Sequence, residues 1–296
     1  MKPGLPPPAR KGFTLVELMV AMAITTIMVT ILVTITSMSL DTWNRSRAEV
    51  RAARQAKAMV EIMARDFEAM VTRSGNNHQW LVAESGGSGA GQSPNSANLI
   101  FFTAATDRYN GAVGTASDAG GDISAVGYQL KYVDPIRAGG ADRTFVLYRR
   151  LVDPNVAFQN LIGQDDLKAK FAPYFAELDD GNESKKHFVC ENIYQFSMTF
   201  HVETTAVVNN VATLRSIPVT MGQGSATAIS IRGGNLEITP PNAAIQPGSR
   251  IVAVEVSLTV LSDNAANTLR NGATVRPEFI RQNSFQYSKR IEVPRP

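Results

Sequence analysis

The chain has 296 residues, a mass of 32.0 kDa and a net charge of +3. With 44% hydrophobic and 19% charged residues it is not wholly disordered, and 22 Gly with 15 Pro are too few for a collagen-like or low-complexity protein. So small a charge does not by itself point to nucleic acid, and a single cysteine, Cys190, excludes an intrachain disulfide framework and a cysteine-cluster zinc site.

The chain opens with MKPGLPPPARKG, residues 1–12. Lys2, Arg10 and Lys11 supply positive charge, and the proline-rich middle cannot be helical. Phe13 to Leu40 follows, 28 residues with one charge, Glu17, and neither Pro nor Gly. As a helix this stretch would run about 42 Å, more than the ~30 Å of a bilayer's hydrocarbon core. Its β-branched run from Ile24 to Thr36 is a poor helix former in water. In lipid the backbone must satisfy itself, so the expectation is one transmembrane helix over 13–40. Basic residues stay cytoplasmic, which places the N-terminus inside and the remainder outside. Asp41 to Arg45 shows no small-residue cleavage site, so the plainest expectation is an uncleaved signal anchor. Glu17 stands out: a carboxylate in a membrane helix costs several kcal/mol unless paired.

Gly12-Phe13-Thr14-Leu15-Val16-Glu17 followed by LMVAMAI resembles the class III signal of type IV pilins and type II secretion pseudopilins. The resemblance implies that residues 1–12 are a leader, cut by prepilin peptidase between Gly12 and Phe13 on the cytoplasmic side. Phe13 would then become an N-methylated terminus. Methylation keeps the amine charged, and Glu17, four positions on, can pair with it. The resemblance favours pairing between adjacent subunits, setting axial register in a filament.

From Asp41 to Arg73 the pattern is amphipathic. Ala52, Ala56, Met59, Met63, Phe67 and Met70 fall on one helical face, while Arg51, Arg54, Lys57, Glu61, Arg65, Asp66 and Glu68 lie mostly elsewhere. Gly75 is the expected stop, so Phe13 to Arg73 reads as one helix of about 90 Å. Residues 74–98, Gly/Ser/Asn-rich, read as a loop. Residues 99–296 read as an antiparallel β-rich globular domain. Leu99–Thr103, Tyr128–Tyr132, Phe145–Leu151, Tyr194–Val202, Val252–Val260 and Phe285–Val293 are its expected strands. Leu161–Glu177 reads as a helical or irregular insertion broken near Pro173. The expected class is α+β, a long N-terminal helix packed on an antiparallel sheet in the manner of pilins. MARDFEAM, ENIYQFSMTFHV, RIVAVEVSLTVLSD and FQYSKRIEV resemble the J-type minor pseudopilins of type II secretion and the W-type minor pilins.

Catalytic chemistry is sparse. There is no HExxH, GxSxG, P-loop or strand-to-helix GxGxxG, and no catalytic, cofactor-binding or metal site is expected. His187 and Cys190, read on one strand, would face opposite ways. Cys190 reads as a buried thiol and His201 as a solvated histidine on the polar face of its strand. Asp179-Asp180-Gly181-Asn182-Glu183 carries oxygen ligands a calcium ion can use, but it does not fit the EF-hand pattern and reads as an ordinary polar turn. Arg149-Arg150 with Lys289, Arg290 and Arg295 would make a basic patch, but solvated charge accounts for it without DNA.

The functional expectation is therefore a minor pilin or pseudopilin that initiates or caps a filament of type II secretion or a type IV pilus. Its implied partners are prepilin peptidase, other pilins or pseudopilins, the inner-membrane assembly platform and membrane lipid, with no nucleic acid and no cofactor. It would begin in the bacterial inner membrane with its C-terminal domain outside. The alternative is a signal-anchored periplasmic or extracellular enzyme or ligand-binding domain.

Overall fold

The computed structural model describes residues 12–86, 96–104, 122–137, 140–208, 211–222, 226–271 and 277–294. Residues 1–11 of the expected leader, the centre of the Gly/Ser loop and Arg295 lie outside them. Two units emerge, Met1–Glu49 and Val50–Pro296.

The first unit holds most of the apolar part of helix α1, Leu15–Glu68. Its apolar window has a mean hydropathy of 2.5, and every residue from 12 to 47 is exposed. The β-branched run is helical all the same. Thr26, Thr30, Thr34, Thr36 and Thr42 each turn Oγ1 back to the carbonyl four residues earlier at 2.8–2.9 Å, and Thr25 does so to Ala21. These back-bonds hide hydroxyls that an apolar medium would otherwise leave unpaired.

In the second unit the expected stripe is the packing face of α1: Ala52, Ala56, Met59, Met63 and Phe67 are all buried. The helix ends at Glu68 rather than at Arg73. Met70–Val71 is already a short strand, β1, paired with Phe102 and Thr103, so sheet pairing ends the helix before its glycine does. Gly75, at φ 78°, closes the turn that follows. The segment read as loop over 74–98 contains a full strand, β2, Gln79–Ser85, whose Trp80 to Ala83 are buried. Buried on both faces, it shows no alternation by which a strand is recognised.

The chain continues through β3 (Ala97–Thr103), β4 (Ser124–Val133) and β5 (Thr144–Val152). Helices α2 (Pro154–Asn160), α3 (Leu167–Ala176) and α4 (Glu183–Lys186) follow, then β6 (Phe188–Glu191). The helical segment between strands is thus present, but its break falls at Leu161–Asp166. Asp166 caps α3 by accepting from the Ala169 amide at 2.9 Å, and Pro173 lies inside that helix. Next come β7 (Ile193–Val208), β8 (Val211–Met221), β9 (Ala228–Arg232), β10 (Asn235–Thr239) and β11 (Arg250–Leu261). α5 (Asp263–Arg270), α6 (Pro277–Gln282) and β12 (Ser284–Glu292) complete the order.

Two antiparallel sheets result. One runs β10-β9-β2-β3-β4-β5-β6 with β1 on β3, the other β12-β11-β7-β8. Asn192, at φ 61°, is the corner where the chain leaves the first sheet for the second, and its Oδ1 accepts from Thr144 Oγ1 at 2.7 Å. α1 packs on the first sheet, with Phe67 stacked on Phe101 at 4.6 Å between ring centroids. α3 covers the other face of β4: an added Cβ at Gly127 would lie 2.5 Å from the Phe171 ring. The fold is therefore α+β, a long N-terminal helix on antiparallel sheets.

Candidate functional site

The N-terminal segment carries the motif. Gly12, Phe13 and Thr14 precede the helix in non-helical backbone. Nothing lies within 4 Å of the place a Gly12 side chain would occupy, and Phe13 is 91% exposed. The Gly12–Phe13 peptide is thus open to a protease. Helix α1 then begins with a reciprocal cap. The Glu17 amide donates to Thr14 Oγ1 at 3.3 Å, while the Thr14 amide and hydroxyl both donate to Glu17 Oε2 at 2.9 Å. Thr-x-x-Glu is the sequence signature of such a capping box, and it is legible at Thr14 to Glu17. The box satisfies helix-start donors and anchors the carboxylate close to the Gly12–Phe13 peptide.

A second polar centre lies inside the globular unit, and sequence reasoning missed it. Asp66 sits in the last turn of α1 with its side chain 2% exposed. Arg149 of β5 grips it with both Nε (to Oδ2 at 2.6 Å) and Nη2, and the buried Tyr128 hydroxyl of β4 donates to Oδ2. Burial alone would pull the Arg149 pKa down, but the hydrogen bonds to Asp66 and Tyr128 and the Asp66 charge outweigh it and the net direction is up. Burial, reinforced by the Asp66 charge, pushes the Tyr128 pKa well up, so its hydroxyl stays a donor. The cluster is a latch between the end of α1 and two neighbouring strands. Its signal was a charge out of place: Arg149 interrupts the apolar face of Phe145, Leu147 and Leu151, and Asp66 directly precedes the buried Phe67. A cleft of about 250 Å³, lined in part by Arg65, Asp66, Arg149 and His187, opens beside it.

The remaining candidates are dispersed. His187 is not on a strand; it caps α4 just before β6 begins. Cys190 is buried, and burial with the neighbouring Glu191 charge lifts its thiol pKa to about 12. His201 is half-buried rather than solvated, with Nε2 at 3.7 Å from Glu255 Oε2, because β11 lies alongside its strand. His78 Nδ1 lies 3.6 Å from Asp165 Oδ1, too far for a hydrogen bond. The acidic turn is split: Asp179 pairs with Lys131 at 2.8 Å, Glu183 with Lys186 at 2.7 Å, and Asp180 Oδ1 accepts from the Asn182 amide. Among the described residues no three His, Cys, Asp or Glu are grouped to hold a metal ion. Arg149 and Arg150 do not form a basic patch, since Arg149 holds Asp66 and Arg150 holds Glu177 at 2.5 Å.

The prokaryotic N-terminal methylation motif family matches residues 7–33. No curated protein matches the chain. Among solved structures, a type IV-like pilin from Thermus thermophilus is similar over 82% of this chain and 97% of its own, at 9% identity and a TM-score of 0.33. A likeness that slight carries no argument. The chain thus carries a prokaryotic N-terminal methylation motif at the head of a long apolar helix, and that helix runs on to antiparallel sheets, an arrangement like that of the pilins.

Proposed function

We propose that the chain is a structural subunit, a minor pilin or pseudopilin, that initiates or caps a short filament of a type II secretion system or a type IV pilus. The observation that carries the reading is an apolar helix with every residue from 12 to 47 exposed, headed by the matched motif. Such a surface needs lipid before assembly and neighbouring helices afterwards. The resemblance of MARDFEAM, ENIYQFSMTFHV, RIVAVEVSLTVLSD and FQYSKRIEV favours the J-type pseudopilin or W-type minor pilin position.

The mechanism follows from the N-terminal geometry. The apolar helix holds the precursor in the inner membrane, with residues 1–12 cytoplasmic and the globular unit outside. Prepilin peptidase cuts between Gly12 and Phe13 and methylates the Phe13 amine, which keeps its charge. Glu17 neutralises that cation within its own chain in the membrane and from an adjacent subunit in the filament. Pairing removes two charges from the apolar medium together, and that advantage fixes how far one helix slides along the next. The assembly platform and other pilins or pseudopilins supply the remaining surfaces, and the role needs no cofactor and no catalysis by this chain.

Co-expression with prepilin peptidase, followed by mass spectrometry of the N-terminus, tests the processing step. The expected product lacks 12 residues and begins with N-methyl-Phe13. Intact chain alone, still beginning at Met1 after peptidase exposure, refutes it and returns the signal-anchored alternative. Glu17→Leu should be cut normally yet enter filaments poorly; normal co-assembly would remove Glu17 from the mechanism.

A further inference from the structure

The second sheet ends in a projecting arm. β11 accompanies β7 only to Glu203, opposite Arg250, whereas β7 runs on to Val208 and returns as β8 with Val208 opposite Val211. The root is braced, because Thr204 Oγ1 accepts from the Gln246 amide at 3.0 Å and from Ser249 Oγ at 2.8 Å. Past that point, among the described residues, the two strands pair only with each other, an arrangement only marginally stable in water. From Thr204 to Leu214 the sequence TTAVVNNVATL carries no charge, and Leu214 is 69% exposed.

The outer side of β8 is an open edge among the described residues. Pro218, opposite His201, has no N–H, so its place is where the nitrogen faces away from β7. Antiparallel hydrogen bonding alternates along a strand, so Ala212, Leu214 and Ser216 turn their N–H and C=O groups to the same open side. Proline and charge are the usual means of blunting an edge. Here Pro218 seals the inner end, and the outer end has only Arg215.

We infer that this edge pairs with the same edge of a second copy, antiparallel about a two-fold axis through Leu214. In that register Val211–Ile217 meets itself. Leu214 lies against its own counterpart, Ala212 faces Ser216, and Arg215 faces Thr213, so no like charges meet. Moving the axis to Arg215 sets arginine against arginine and brings Pro218 opposite Ala212, losing both charge compatibility and a hydrogen bond. Moving it to Thr213 carries Ser216 past the end of the partner strand. The edge is thus complementary to itself in one register, as an isologous contact requires. A seven-residue strand pair is a small contact, so the association is reversible, and trapping it is the suitable measurement.

The test uses the full chain in native membranes under mild oxidation. Cys190, the one native cysteine, is buried and silent. Leu214→Cys should give a disulfide-linked dimer, because directly opposed residues of this kind have Cα atoms about 5.5 Å apart. Thr213→Cys, equally exposed but offset from its counterpart, should give at least about tenfold less. The variant carrying both Ala212→Cys and Ser216→Cys should trap the same register at two further positions. Adding Ser216→Pro to Leu214→Cys should abolish the dimer by removing an edge N–H, as Pro218 already does. Equal yields at 213 and 214, no dimer from either trapping variant, or adducts solely with a different protein would each overturn the assignment.

Discussion

Asp66→Ala should destabilise the globular unit by about 3–5 kcal/mol, the loss typical when one partner of a buried ion pair is removed. The structure places it in that range. The Asp66 and Arg149 side chains are 2% and 13% exposed, and one carboxylate receives two guanidinium contacts and the Tyr128 hydroxyl. Without it the guanidinium keeps only Tyr128 Oη, at 3.2 Å from Nε. Tyr128→Phe, which leaves the ion pair intact, should cost less, about 1.5–3 kcal/mol, the worth of a hydrogen bond to a charged group. Asp66→Leu combined with Arg149→Met should recover most of the Asp66→Ala loss, since no charge then stays buried. Urea unfolding in mild detergent reads all three. Of the two tryptophans, Trp80 is buried and meets Phe102 edge-on at 5.5 Å, so its fluorescence reports the core once Trp43→Phe silences the exposed one. At a slope of about 3 kcal/mol/M the Asp66→Ala midpoint should drop by about 1–2 M. A loss under about 1 kcal/mol, or a double variant as weak as Asp66→Ala, would refute the buried latch.

Gly127→Ala puts a Cβ 2.5 Å from the Phe171 ring and should cost about 1–3 kcal/mol in the same unfolding measurement. Thr14→Ala removes one half of the capping box and should weaken the first helical turn by about 1 kcal/mol, seen as faster amide exchange at Val16 and Glu17; unchanged protection would mean the box contributes nothing. Cys190, its thiol raised to about 12 by burial, should resist alkylation at pH 8 in the folded chain and react promptly in denaturant. Rapid labelling of the folded chain would contradict the buried placement.

Local chemistry made the N-terminal half legible. A membrane-length apolar run, a lone acid and a Gly-Phe junction are contiguous in sequence, so no folding is needed to see them. The buried stripe from Ala52 to Phe67 was equally readable, because helical periodicity is a property of one segment. Strands with one wet face announced themselves by alternation, as β7 and β11 did. β2 did not, because it is buried on both faces; β8 did not, because Ala212 to Ser216 are exposed on both faces; and β9 and β10 alternate over only five residues each, too short a run to stand out. Tertiary structure alone decided that Arg149 is a buried partner and not part of a basic surface. It also decided that Asp66 closes the helix-to-sheet contact, and that the β7–β8 arm outruns its third strand. Each depends on residues far apart in the chain, and a charge reveals whether it is solvated or paired only when the opposing element has been brought against it.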